Sequence, residues 1–165
     1  MKISPITFQG KPANYAIIDK FVSRSAQPMK EDFVWLKENG VTDIINFRTM
    51  VVEGLDFNEK STVEDLRMNY HNIPSITKNP KEEKIIQFLQ IINQIKDQNG
   101  KVHIHCMAGA DRTGMYAFIY KSLNGIGTVS ENITEWINRG HNTKLYPDLI
   151  NQAKEILEKL KLNNT

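Results

Sequence analysis

Five short apolar runs, at residues 15–18, 21–22, 41–47, 70–73 and 102–104, are separated for the most part by segments of helical periodicity, and this alternation limits the fold more than any other feature. Runs this short read as strands. Strands that alternate with helices imply an α/β domain with a central, mostly parallel sheet flanked by helices. The 165 residues are 40% hydrophobic and 24% charged and contain no repeat or low-complexity tract. One domain over 1–165 is expected, with an extended arm at 1–12 and a loose tail at 163–165.

Local chemistry marks several helix ends. Asn79 as N-cap, Pro80 at the first helical position and Glu82 reaching back are expected to open a helix whose apolar face is Ile85, Phe88, Leu89, Ile92 and Ile95. Asn99-Gly100 is expected to stop it. Ser61 with Glu64 and Thr128 with Glu131 read as capping boxes. Leu149, Ile150, Ala153, Ile156, Leu157 and Leu160 form the stripe of a final amphipathic helix. In 113–123 the apolar residues Met115, Ala117, Phe118, Ile119 and Leu123 fall on most sides, so that helix is expected to be central and largely buried.

Charge and cysteine content narrow the function. Twenty-one Lys and Arg against 19 Asp and Glu leave a net charge of +2, too little to predict nucleic-acid binding. No apolar run approaches the ~20 residues of a membrane span, and the first ten residues lack a signal-peptide core. The expectation is a cytoplasmic protein without stable membrane insertion. With Cys106 as the single cysteine, an internal disulfide and a multi-cysteine zinc site are excluded. That thiol is either a small buried hydrophobe or a reactive group.

The strand ending at His105 runs directly into Cys106-Met107-Ala108-Gly109-Ala110-Asp111 and then into the helix that begins near Arg112-Thr113-Gly114. A strand, a tight loop and a helix N-terminus make an anion site: successive N–H groups curl around one tetrahedral oxyanion, and the helix dipole adds positive charge. Gly109 lets the backbone turn, and the planar fork of Arg112 can grip two oxygens.

The run His105-Cys106-x-x-Gly109-x-x-Arg112-Thr113-Gly114 resembles the HCxxGxxR(S/T)G signature of cysteine-dependent protein tyrosine phosphatases. Among these, the compact dual-specificity-like bacterial proteins are also similar in length, in Arg24-Ser25-Ala26-Gln27-Pro28, in the strand end Asn46-Phe47-Arg48 and in the helix after the loop, so the similarity covers most of residues 15–160. The resemblance implies a phosphomonoester hydrolase in which Cys106 attacks phosphorus and forms a phosphocysteine. Arg112 and the amides of Met107, Ala108, Gly109 and Ala110 would bind the phosphoryl oxygens, and loop, helix and Arg112 together would stabilise the thiolate. It further implies that His105 orients the loop and tunes the thiolate, and that the Thr113 hydroxyl helps Cys106 leave. A monomer is expected, with no metal or cofactor, acting on a phosphorylated protein or a small phosphomonoester.

One part of the family pattern is missing. The family's general-acid aspartate sits on a separate loop about 30 residues before the cysteine, yet 71–80 contains no Asp or Glu here. A subgroup of bacterial phosphatases with a similar Asp-Arg-Thr-Gly loop end suggests Asp111 as the acid, with Glu82 and Asp65 as poorer alternatives. The plainer reading has Asp111 capping the following helix or pairing with Arg112.

Other residues carry less chemistry. His103 and His105 share a strand face beside Cys106, but no nearby carboxylate or further histidine completes a metal set. Arg24 and Arg48 fall at strand ends, where a structural role is favoured, with Glu53 an available partner for Arg48. Lys78, Lys81 and Lys84 suit a polyanion and keep inositol phosphates and phosphoinositides as alternative substrates, whereas Met107 and Ala110 stand where dedicated phosphoinositide phosphatases carry lysine. Trp35, Tyr120 and Trp136 read as core. A phosphate-binding pseudoenzyme and a rhodanese-like sulfurtransferase are the competing functions; retention of Cys106, Arg112 and Thr113 together opposes the first, and the Arg-Thr-Gly ending opposes the second.

Overall fold

The computed structural model describes residues 10–163, so most of the expected arm and the end of the tail lie outside the described residues. Strands β1 (Ala16–Ile17), β2 (Val22–Ser25), β3 (Asp43–Asn46), β4 (Asn69–Asn72) and β5 (Val102–His105) form one sheet in the order β1-β2-β5-β3-β4. All neighbours are parallel except the short edge strand β1, which returns antiparallel against β2. The chain is thus mixed α/β, and β5 lies in the middle of the sheet. All four of its residues are buried, as a strand covered on both faces requires.

Successive strand residues point to opposite faces, and Ile44 and Ile45 show the consequence. Ile44 joins Phe33, Leu36, Val63 and Met68 under helices α1 (Lys30–Glu38) and α2 (Glu59–Asp65). Ile45 joins a larger cluster under α3 (Glu82–Asp97), α4 (Arg112–Leu123), α5 (Val129–Asn138) and α6 (Leu149–Asn163). Helix α4 is buried from Thr113 through Tyr120, as its all-round apolarity requires, and Gly114 lets Trp136 of α5 pack against its backbone. Each large side chain buried in this way contributes about 1.5–3 kcal/mol. Among the described residues no helix is long and apolar enough to cross a membrane.

Two of the expected caps are replaced. Helix α3 begins at Glu82 with Lys81 as its N-cap and no side-chain bond, because Asn79 takes a left-handed conformation (φ 55°) and its Oδ1 accepts from Gln152 Nε2 of α6 at 3.2 Å. Helix α2 is capped by Asn58, whose Oδ1 accepts from the Ser61 N–H at 2.9 Å, which places Ser61 inside the first turn. The Thr128–Glu131 box forms as the spacing predicts. Trp136 and Tyr120 are buried, whereas Trp35 is only partly so.

Candidate active site

The loop 106–111 leaves the central strand β5 and enters α4. All six of its carbonyls are engaged, and the three in the middle turn outward to other elements: Met107 O accepts from the Gln27 N–H at 2.9 Å, Gly109 O accepts from Arg24 Nη2 at 2.8 Å, and Asn14 Nδ2 reaches both Ala108 O and Gly109 O at 3.3 Å. His105 Nδ1 lies 3.1 Å from Cys106 O, and the α4 N–H groups of Gly114 and Met115 donate to Ala110 O and Asp111 O. A peptide whose carbonyl points outward sends its N–H the other way. Among the described residues the N–H groups of Met107 through Arg112 make no hydrogen bond, and Cys106 at the head of the loop is 2% exposed. A series of unengaged N–H groups is what an anion site needs, and the loop is backed by β2.

Gly109 makes that backing possible. Its φ is +69°, and a Cβ there would lie 2.5 Å from Ala26 N and Ser25 C and 2.6 Å from Ser25 O, all backbone that cannot swing away. Left-handed strain costs about 1–2 kcal/mol and overpacking about 1–3 more. Gly109→Ala is therefore expected to lower Tm by about 5–15 °C and to remove most activity, since the loop must leave β2. An unchanged Tm in a thermal melt would mean that the loop is not clamped in this way.

Arg112 lies across the strand ends: Nη1 donates to Phe47 O at 3.4 Å and to Ser75 O at 3.3 Å. It lines two clefts of about 440 and 400 Å³, one with Met50 and Met107, the other with Ile76, Lys78 and Tyr146. The Thr113 hydroxyl is buried and has no partner among the described residues. Cys106, Asp111, Glu82 and Asp65 line neither cleft; Cys106 and Asp111 are joined to them through the loop that carries Met107 and Arg112.

Asp111 is the N-cap residue of α4, but its carboxylate does not cap the helix. Oδ1 accepts from the Asn142 N–H at 2.9 Å and lies 2.7 Å from Nδ1 of the buried His141. Burial pushes this carboxyl up, but the His141 bond, the Asn142 N–H and the charges of His141 and Arg112 together hold it below the ordinary carboxylate range. Both Oδ1 contacts come from the 140–142 turn, so the plainer expectation of a cap is not what the carboxylate does.

Behind the loop, His105 Nδ1 lies 3.1 Å from Cys106 O and Nε2 lies 3.0 Å from Oε2 of Glu59 on α2. Glu59 is 2% exposed and accepts from Gln27 Nε2 at 2.5 Å and Asn46 Nδ2 at 2.8 Å. His103 is held by Ser23 Oγ at 2.8 Å and Ser25 Oγ at 2.6 Å, so both ring nitrogens of each strand histidine are engaged. Among the described residues no His/Cys/Asp/Glu group could hold a metal ion. Arg24 and Arg48 serve as struts. Burial pulls the Arg24 guanidinium down to about 10, against the opposing charge of Glu135. Arg48 donates to Gln27 Oε1 at 2.7 Å and to the backbone carbonyl of Glu53, not its carboxylate, at 2.6 Å.

Glu59 and His141 are absent from the sequence-based set, and Gln27 and Asn46 enter it only as members of the family-like segments 24–28 and 46–48. With Ser61 read as an N-cap, Glu59 falls before the expected helix and draws no reading, and no spacing links it to a histidine 46 residues away.

Residues 20–123 match the family described as polymorphic toxin system, DSP-PTPase phosphatase. No curated protein matches the chain. Among solved structures, a candidate phosphatase of Shewanella putrefaciens is 24% identical, with 96% of this chain and 98% of that one covered and a TM-score of 0.76. The catalytic core of the yeast (S. cerevisiae) PP-IP phosphatase Siw14, in complex with citrate, is 18% identical over 93% of this chain and 94% of its own, TM-score 0.70. A cysteine-to-serine form of P. aeruginosa TpbA in complex with pTyr is 16% identical over 91% of this chain and 89% of its own, TM-score 0.70. At these identities the likeness to the three structures is one of fold.

Proposed function

We propose, from the premise that this chain belongs to the DSP-PTPase phosphatase family and is a cysteine-dependent phosphatase, that it hydrolyses phosphotyrosine-like monoesters through a phosphocysteine on Cys106. The observation that carries this reading is the series of unengaged loop N–H groups that follows Cys106 and ends at Arg112. The thiolate attacks phosphorus in line with the ester bond; the P–O bond breaks and the leaving oxygen takes a proton. Loop amides and the Arg112 fork stabilise the equatorial oxygens in that step and in the hydrolysis that follows. Water then attacks phosphorus, the P–S bond breaks, and the unpartnered Thr113 hydroxyl hydrogen-bonds the departing sulfur.

Asp111 is the proton donor in this scheme. His141 and Asn142 both hold Oδ1, which leaves Oδ2 to carry the proton. The carboxyl is held low in the free protein, and a dianionic phosphoryl group beside it raises its proton affinity. Ester cleavage then requires the protonated form and falls as pH rises through the value reached in the complex, whereas the hydrolytic step uses the carboxylate as base. Asp111→Asn is expected to slow aryl phosphates with basic leaving groups by about 10²–10⁴-fold, to spare acidic leaving groups, and to flatten the descending limb of the kcat–pH profile. Equal losses across leaving groups would assign Asp111 to anchoring the 140–142 turn alone.

The rim favours an aryl monoester over a polyanion. Met50 (62% exposed), Ile76 (53%) and Met107 (52%) stand at the clefts beside Arg112, where Lys78 is the one lysine among the lining residues. Lys81 and Lys84 do not line these clefts. Soft apolar side chains pack against an aromatic ring and offer nothing to additional phosphates. A kcat/KM comparison of phosphotyrosine peptides with inositol phosphates and phosphoinositides tests this. Preference for either polyanion overturns the aryl assignment, and turnover of thiosulfate in place of phosphate esters overturns the reaction class.

A further inference from the structure

We propose that Glu59 is a positioning residue that keeps His105 doubly protonated, so that a buried imidazolium, paired with a carboxylate on its far side, stands directly before Cys106. The kinetic consequence rests on Cys106 being the nucleophile; the protonation state does not.

Hydrogen-bond bookkeeping on two histidines of the same strand carries the argument. A neutral imidazole offers one donor and one acceptor. His103 has partners that fit this form: Ser25 Oγ donates its proton to Ala26 O at 2.6 Å and so accepts from His103 Nε2–H, while Ser23 Oγ–H donates to Nδ1. Burial, and then the charge of His105, hold His103 well below the ordinary histidine range, in agreement with a neutral ring. His105, two residues on, faces two acceptors. Cys106 O can only accept, and Glu59 Oε2 is a carboxylate oxygen.

The ionised state of Glu59 is enforced by its other neighbours. Gln27 and Asn46 could in principle present either end of their amides, but Arg48 fixes both. Its Nη1 donates to Gln27 Oε1 at 2.7 Å and its backbone N–H donates to Asn46 Oδ1 at 2.9 Å, so each amide turns its NH₂ toward Glu59. A carboxyl group that already accepts two amide donors is strongly favoured as the carboxylate. Burial pushes the Glu59 carboxyl up, but the charge and hydrogen bond of His105 and the two amides outweigh it and leave it below the ordinary range. The ionisable groups around the pair are His103 on β5, Tyr70 on β4, Arg48 after β3 and Cys106 itself; the Tyr70 hydroxyl, pushed up to about 12 chiefly by burial and then by the Glu59 charge, stays neutral. The imidazolium Nδ1–H points at the nucleophile's own carbonyl, and the carboxylate lies on the opposite ring nitrogen. The cation is thus the member nearer the loop, and it adds to the helix N-terminus and Arg112 in favouring the thiolate.

Ring-nitrogen NMR of the ¹⁵N-labelled, substrate-free protein tests this directly. At neutral pH His105 is expected to show two protonated nitrogens, and His103 one protonated and one bare. A bare nitrogen on His105 there overturns the proposal, whatever the activity. In Glu59→Gln the His105 signal is expected to become that of a neutral ring at the same pH, and both kcat/KM and Cys106 alkylation by iodoacetate to slow by about tenfold below neutrality. A folded Glu59→Gln protein with both rates unchanged also overturns it. Should Glu59→Gln fail to fold, the wild-type spectrum still decides. Failure of the phosphatase reading itself would appear separately, as turnover retained when Cys106 is replaced.

Discussion

Cys106→Ser is expected to lower turnover of p-nitrophenyl phosphate by on the order of 10⁴-fold or more while leaving the fold and the anion site in place. The substitution exchanges sulfur for a smaller oxygen in a position 2% exposed, at the head of a loop whose shape is set by Arg24, Gln27 and Asn14 rather than by the thiol. A serine hydroxyl gains little from the features that favour a thiolate, because its proton is far harder to remove. Chemistry is therefore lost and the cradle is not. Protection of the variant by sulfate or tungstate in a thermal melt reads the cradle, and the initial rate reads the chemistry. Wild-type turnover in the Cys106→Ser variant would eliminate the covalent route, and loss of anion binding with the fold intact would show that Cys106 itself shapes the cradle.

How far this site can be read in the chain depends on how local its chemistry is. The loop and its flanks occupy ten consecutive residues, His105 to Gly114, in which strand, turn, glycine and helix start follow without a break, and the order of these elements matches what the spacing predicts. The same holds for the α/β alternation and the all-round burial of α4, since both are periodicities. What escapes is set by partners distant along the chain. Asn79 has the residues of a cap but gives its Oδ1 to Gln152, 73 residues on. Asp111 would serve as a cap in isolation, but His141 and Asn142, 30 and 31 residues on, take its carboxylate first. Glu59 reaches His105 because β3 lies beside β5 in the sheet and α2 packs on the face where His105 points, a relation fixed by strand order. The first two misses are competitions between a near partner and a far one, won by helix packing, and the third is a contact that strand order alone creates.

Arg112→Lys separates the two roles an arginine at this position can have. The guanidinium donates to Phe47 O and Ser75 O, which makes it a candidate strut between the end of β3 and the segment after β4. Those bonds are long, 3.3–3.4 Å, and the residue is only partly buried, so their loss is expected to cost no more than about 1 kcal/mol. Transition-state stabilisation is a much larger quantity: an arginine aimed at a transferring phosphoryl group contributes roughly 10³–10⁵ in rate, and a lysine, a point charge without the fork, cannot bond two equatorial oxygens in one plane. kcat/KM is therefore expected to fall about 10³-fold with Tm within about 4 °C of wild type. Gly109→Ala is the opposite case, where stability and activity fall together because the backbone itself is displaced. If Arg112→Lys instead lost stability in proportion to activity, the guanidinium would be a brace between strand ends, and the phosphoryl oxygens would have to be held by the loop amides alone.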